Sequence, residues 1–214
     1  MGNVYTMCST MKTHTDLLRT AAHWSAQEPW EIGRGLYWTE LSTVQRRLNH
    51  KVSGCPDLGW VAYTLERYFV DCLPMERCLI LACGKGRLER KLAARSVFRH
   101  CDACDVAAGS VEKARVAAAE AGHDCISYWI CDVNMLTLPP QHYDAVWIHQ
   151  AAHHLERLEH VFEELAAALK PGGLFILHEY VGPNRFQFPP RQRQAMKACL
   201  DLLPVGHCRL TRDA

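Results

Sequence analysis

The chain has 214 residues, 49% of them hydrophobic and 22% charged, enough for one well-filled core with a small appended segment. Its 24 basic and 23 acidic side chains nearly cancel, so the excess charge that would favour nucleic acid or an anionic membrane surface is missing. No charged-then-apolar leader opens the sequence and no run of about 18 apolar residues could span a bilayer, so a soluble, cytoplasmic protein is expected.

Residues 1–77 differ in character from the rest and read as a helical and aromatic extension or lid. They hold four tryptophans, Trp24, Trp30, Trp38 and Trp60, which either pack a core or line a pocket. In DLGWVAYTLERYFVDCLP, Leu58, Val61, Leu65, Phe69 and Cys72 recur at helical spacing, Asp57 can cap the start and Pro74 marks the end. This helix is expected to pack on a sheet or to roof a cleft.

From Cys78 onward, apolar strand-length runs alternate with helical stretches: CLILAC, RLERKLAARS, HCDACD, SVEKARVAAAEAG, CISYWICD, YDAVWIHQ, LEHVFEELAAALKPGG and LFILHEYV. Strands that are hydrophobic almost throughout, each followed by a helix, predict a doubly wound α/β fold over residues 78–214, with a mostly parallel sheet covered on both faces. The helix after Ser110 is expected to stop at Gly122, and the next at Pro171 and Gly172. Function is sought at the carboxyl ends of the strands, where strand order reverses. The eleven cysteines lie scattered and partly within strands, as reduced core thiols do. The Cys101–Cys104 pair has metal-ligand spacing but no second pair follows it, so no metal is expected. The basic run in PPRQRQAMK reads as a solvated helix face.

The turn after the first strand, CLILACGKGRLER, fails two phosphate-binding patterns. A Walker turn needs Gly-Lys-Ser/Thr at its end, and a dinucleotide fingerprint needs glycine at position 87 or 89, where Arg87 and Glu89 stand. A nicotinamide oxidoreductase is thereby disfavoured. What remains is a short small-x-Gly-x-Gly turn that lets backbone approach a ligand without a pyrophosphate.

LILACGKGRLE, DACDVAAGSVEKAR, ISYWICDVNMLTLP, YDAVWIHQAAHHL and ALKPGGLFILHEY, in this order over Cys78 to Tyr180, resemble the successive motifs of class I S-adenosylmethionine-dependent methyltransferases. The resemblance implies a Rossmann-like core and S-adenosyl-L-methionine as cofactor. It places Ala82, Cys83, Gly84 and Gly86 against the methionyl and ribose parts and Asp105, with Val106, on the ribose hydroxyls. Asp132 and Val133 would meet the adenine, and His149 would stand between cofactor and acceptor. Asp102 is the rival of Asp105 but lies inside the strand. For each acid, capping of a loop is the alternative role. The family acid two residues before Ala82 is replaced by Ile80, and Ala82 itself replaces a glycine, which is harmless if its φ is negative.

The implied reaction is an in-line displacement in which the enzyme mainly orients the reactants and excludes water. A base is needed only if the acceptor must lose a proton, and His153, His149 and Glu179 are the candidates. Of His153 and His154, one is expected to face the pocket and one to pack or cap. Glu179 should face opposite to His178 and Tyr180. The segment HEYVGPNRFQFPPRQRQ is similar to small-molecule methyltransferases near sugar and secondary-metabolite pathways, which implies a small-molecule acceptor and no nucleic acid or membrane partner. Beyond Tyr180 a helix over PPRQRQAMKACLDLLP is expected, but the family's closing strands are missing. That leaves a truncated or naturally short form, or a sheet edge covered by a loop or by a second subunit in a homodimer. A non-catalytic module that keeps the fold and the cofactor is the competing reading.

Overall fold

The structure, a computed structural model, describes residues 14–26, 41–179, 181–182 and 188–202. Trp30, Trp38, the Trp24 side chain and Tyr180 lie outside the described residues. The chain divides into two units, residues 1–179 and 180–214. In the second, α7 (Pro190–Leu200) forms where a helix is expected, with proline in its first turn and a Lys197–Asp201 pair at 2.9 Å one turn apart.

The first unit is built on five strands: β1 (Met75–Leu81), β2 (Phe98–Asp105), β3 (Ile126–Ile130), β4 (Tyr143–His149) and β5 (Leu169–His178). Their order is β3-β2-β1-β4-β5 and every pairing is parallel. The order reverses at β1, so a crevice opens at the carboxyl ends of β1 and β4. The helices are α1 (His14–Ala26), α2 (Ser42–Ser53), α3 (Trp60–Tyr68), α4 (Arg87–Ala93), α5 (Ala108–Glu120) and α6 (Leu158–Ala168).

Alternation along the strands sorts the side chains into two cores. Cys78, Ile80, Cys101, Ala103 and Trp147 face one way and pack with Val61 and Leu65 of α3, with Phe69 just after it and with Leu92 of α4. Leu79, Leu81, Cys104, Val146 and Ile148 face the other and pack with Val161, Leu165 and Ala168 of α6. This is the doubly wound, Rossmann-like arrangement that the hydrophobic runs predict. The described cysteines are free thiols, and burial pushes Cys78, Cys83 and Cys101 up, keeping them neutral. Among the described residues no group of three or more ligating side chains could hold a metal, and no helix is long and apolar enough to cross a membrane.

Three local expectations are corrected. The helix near Trp60 begins at Trp60 rather than Asp57, because Gly59 is extended and Ser53 and Asn49 bind the loop at the Leu58 and Pro56 carbonyls. Asp57 pairs with Arg46 instead, and Cys72 is exposed. Helix α6 ends at Ala168, before Pro171. Lys170 to Gly173 bulge out between the Tyr143–Leu169 and Ala145–Leu174 pairings, where a side chain on Gly173 would stand 2.9 Å from the Lys170 carbonyl. Ala82 adopts φ +51 rather than a negative angle, since the Cys83 amide is drawn 2.9 Å onto the Cys104 carbonyl as the chain reverses over β2. Such a conformation costs a non-glycine residue on the order of 1 kcal/mol.

Asp102 is structural. Its Oδ2 accepts from Arg77 Nη1 at 2.9 Å and from the Tyr143 hydroxyl at 3.1 Å, buried beneath the sheet. Asp102→Ala should destabilise the fold by about 2 kcal/mol, because Tyr143 loses its acceptor, while S-adenosylhomocysteine affinity at a temperature where both proteins are folded stays unchanged. Denaturant melts and calorimetric titration check the two halves.

Candidate functional site

A cleft of about 250 Å³ lies at the reversal point, lined by Ala82 and Gly84 from the turn after β1 and by Asp105 and Val106 after β2. Asp132, Val133 and Asn134 line it after β3, and Gln150, Ala151, His154 and Leu155 after β4. Thr20 of α1 closes one wall. Helix α1 is held there by Ser25, whose Oγ accepts the Gly109 amide at 3.2 Å. The approach is close, since a side chain at 109 would stand 3.0 Å from the Ser25 Cβ.

The turn is fastened from both sides. Asp105 Oδ2 accepts the Gly84 amide and Oδ1 the Ala107 amide, each at 2.9 Å. Asp132 caps the short 3-10 turn Val133–Met135, its Oδ1 accepting the Asn134 amide at 3.0 Å and the Asn134 side chain at 2.9 Å. Both acids therefore do the capping that was their alternative role. A carboxylate oxygen has two lone pairs, so Asp105 retains acceptor capacity on each oxygen toward a hydroxyl pair, and Asp132 retains Oδ2.

Space around the turn discriminates its glycines. Nothing lies within 4 Å of a side chain added to Gly84, whereas one on Gly86 would meet the Tyr128 hydroxyl and Arg90 Nη1, both at 2.7 Å. Gly84 faces the cleft and Gly86 rests on the core. Cys83 turns its side chain into that same core, so of the four expected turn residues Ala82 and Gly84 line the cleft.

His149 does not line it. Its ring stacks on Trp60 and His178, centroids 5.1 and 5.0 Å away, and Trp60 and His178 stack at 4.5 Å and 2°. Trp60 thus docks α3 onto the ends of β4 and β5. Burial and the neighbouring His178 push His149 down to about 4, and burial lowers His178 as well. His153 and Glu179, by contrast, are joined. Glu179 Oε1 lies 2.6 Å from His153 Nδ1, while Oε2 accepts the Ala152 amide at 2.6 Å. His154 lines the cleft and packs against His153 at 3.9 Å between ring centroids, while His153 and Glu179 are not among the residues that line it. His178 and Glu179 do point opposite ways.

The backbone cradle, the two acids and the apolar Val106, Val133 and Leu155 suit a nucleoside bearing no phosphate. S-adenosylmethionine fits: its ribose hydroxyls can donate to Asp105 and its adenine amine to Asp132, with Gly84 open to it. The fold is thus Rossmann-like, with a cleft at the reversal of strand order whose lining could hold a nucleoside. Residues 79–177, a little under half of the chain, match a family described as a methyltransferase domain. Among curated relatives it is 28% identical over 127 residues to 24-methylenesterol C-methyltransferase 3 of Arabidopsis thaliana, covering 57% of this chain and 35% of that one. It is 26% identical over 120 residues to N-terminal Xaa-Pro-Lys N-methyltransferase 1 of Xenopus tropicalis, covering 55% and 49%. The chain thus spans half or less of the length of these relatives. Two solved structures share the fold: Haemonchus contortus phosphoethanolamine N-methyltransferase 2 with S-adenosylhomocysteine bound (TM-score 0.52, 19% identity, covering 75% of this chain and 38% of that one), and the [4+2]-cyclase SpnF (TM-score 0.50, 23% identity, 76% and 55%).

Two measurements test this geometry. Gly86→Ala should lower stability the more, since it adds a clash to a left-handed φ of +74, whereas Gly84→Ala should cost about 1 kcal/mol of stability for its backbone and, facing the cleft, lower S-adenosylhomocysteine affinity. Thermal melts and titrations of the two variants separate them. For His149, a folded value below the ordinary one means the native state holds fewer protons than the unfolded state. Its contribution is complete above about pH 6.5 and is lost as pH falls toward 4, so His149→Phe should show a smaller drop in Tm between about pH 7 and 5 than the parent.

Proposed function

We propose that the protein is an S-adenosylmethionine-dependent methyltransferase acting on a small-molecule acceptor. The observation that carries the reading is the ring of Ala82, Gly84, Asp105 and Asp132 around one cleft at the reversal of strand order. When bound, S-adenosylmethionine supplies a methyl group activated by sulfonium charge. Asp105 and Asp132 orient the nucleoside end, bare backbone at Gly84 admits the remainder, and Thr20 of α1 helps to exclude water.

The His153–Glu179 pair is the favoured base. A carboxylate on the Nδ1 side sets the tautomer with its proton there, leaving the Nε2 lone pair to take a proton from an acceptor hydroxyl or amine. Glu179, itself held by the Ala152 amide, orients the ring. His149, engaged in its stack, is the weaker candidate. The near-neutral net charge and the N-terminal cover support a small acceptor. The relatives' acceptors, named as a sterol, a peptide N-terminus and a phosphoethanolamine, form the panel to try. The cytoplasmic setting and pairing of two chains along β5 are further parts of this reading.

Titration with S-adenosylhomocysteine should show binding that Asp105→Ala weakens about tenfold, and NAD should not bind. Methyl transfer to a panel member should fall on the order of 100-fold in His153→Ala with cofactor affinity retained. Binding of NAD alone would reject the reading, and cofactor binding with no transfer across acceptor classes would favour the non-catalytic module.

A further inference from the structure

Beneath the glycine turn lies a cluster of polar side chains that the cleft does not use. Glu89, in the first turn of α4, is 0% exposed. Neither of its carboxyl oxygens closes a hydrogen bond of normal geometry among the described residues, nor does the Tyr128 hydroxyl, although the two groups are near enough to alter each other's proton affinity. The Tyr128 hydroxyl and Arg90 Nη1 both press on Gly86, each 2.7 Å from where its side chain would begin. Arg90 Nη1 also donates to the Lys85 carbonyl at 2.7 Å. Glu89, Arg90 and Tyr128 are thus the floor on which Lys85 and Gly86 rest, and Ile80 leaves the turn without an acid from β1.

An ionised carboxylate at this depth is costly to desolvate, and burial outweighs the help of the Glu89 backbone amide, Tyr128 and Arg90, so the neutral acid is favoured. Burial raises Glu89 to about 7. The groups facing it are Arg90 on α4, Tyr128 on β3, Asp105 and Cys101 on β2, and Cys83 in the turn. Tyr128 and Arg90 favour the charge and Asp105 opposes it, while both thiols stay neutral. Arg90 is the one cation in this group, and it is already engaged by the Lys85 carbonyl.

We propose that Glu89 is a positioning residue for cofactor binding: as the neutral acid it leaves Arg90 on the Lys85 carbonyl and the turn closed, and on losing its proton it draws Arg90 to itself and loosens the turn. The proposal rests on the reading of the cleft as an S-adenosyl site. Because the closed turn holds the proton, affinity is complete at acid pH and lost as pH rises through neutrality.

Calorimetric titration of S-adenosylhomocysteine into the full chain at several values between about pH 6 and 8.5 tests this. The parent should lose affinity about tenfold across the range and Glu89→Gln, neutral throughout and of the same shape, less than about twofold. In Tyr128→Phe the midpoint should move to higher pH, because a hydroxyl favouring the charged carboxyl is gone. Equal pH dependence in the parent and Glu89→Gln overturns the proposal, as does a pH-independent parent. If circular dichroism shows Glu89→Gln unfolded, the Tyr128→Phe midpoint decides: an upward shift supports the proposal and an unmoved midpoint overturns it. Absence of binding at every pH rejects the cofactor reading, and the proposal with it.

Discussion

The site depends on one carboxylate. Asp105 sits at the end of β2 and ties the Gly84 amide of the neighbouring strand's turn to the Ala107 amide that leads into α5. With one side chain it sets the height of the turn over the sheet, starts the next helix and turns its remaining lone pairs toward the cleft. Charge-assisted bonds of this kind are stronger than neutral ones, and here they hold a turn in which Ala82, Gly84 and Gly86 all have positive φ. The strain is sustained because the surroundings over-determine it.

Two systems of side chains flank this tie, one on each side of the crevice. On the β4 and β5 side, the Trp60 stack fixes α3 while the Glu179 carboxyl orients His153. His178 and Glu179, adjacent at the end of β5, thus serve two separate contacts. On the β1 and β2 side, the Glu89, Arg90 and Tyr128 floor supports the turn from within the core. The fold alone implies no one chemistry, and the [4+2]-cyclase SpnF shares it. The specific assignments therefore rest on side chains at the strand ends rather than on the sheet.

The strands and their order of use were legible because a buried parallel sheet writes itself as continuous apolar runs. Asp105, Asp132 and Gly84 were legible because each ends such a run. Bonds made across the fold were not. No local pattern distinguishes His149, which stacks away from the cleft, from His153, which meets an acid 26 residues later. Nothing in the local sequence marks Glu89 as buried, because the Tyr128 beside it arrives from β3. The start of α3 was misplaced because Asp57 has the chemistry of a cap, yet the loop's bonds to Asn49 and Ser53 carry it elsewhere. For Ala82 the sign of φ decided the matter, and that angle follows from the bond of the Cys83 amide to the Cys104 carbonyl on another strand.

Gly109 carries a consequence beyond its own position. With Ser25 pressed on the spot where its side chain would be, positions 84 residues apart cannot vary independently. A side chain at 109 would ask Ser25 to give by a few tenths of an ångström, on the same helix that brings Thr20 to the cleft wall. The helix that closes the site is thus written partly into the core, and a foreign N-terminal segment grafted onto residues 41–179 would have to match that footprint to seal the same wall.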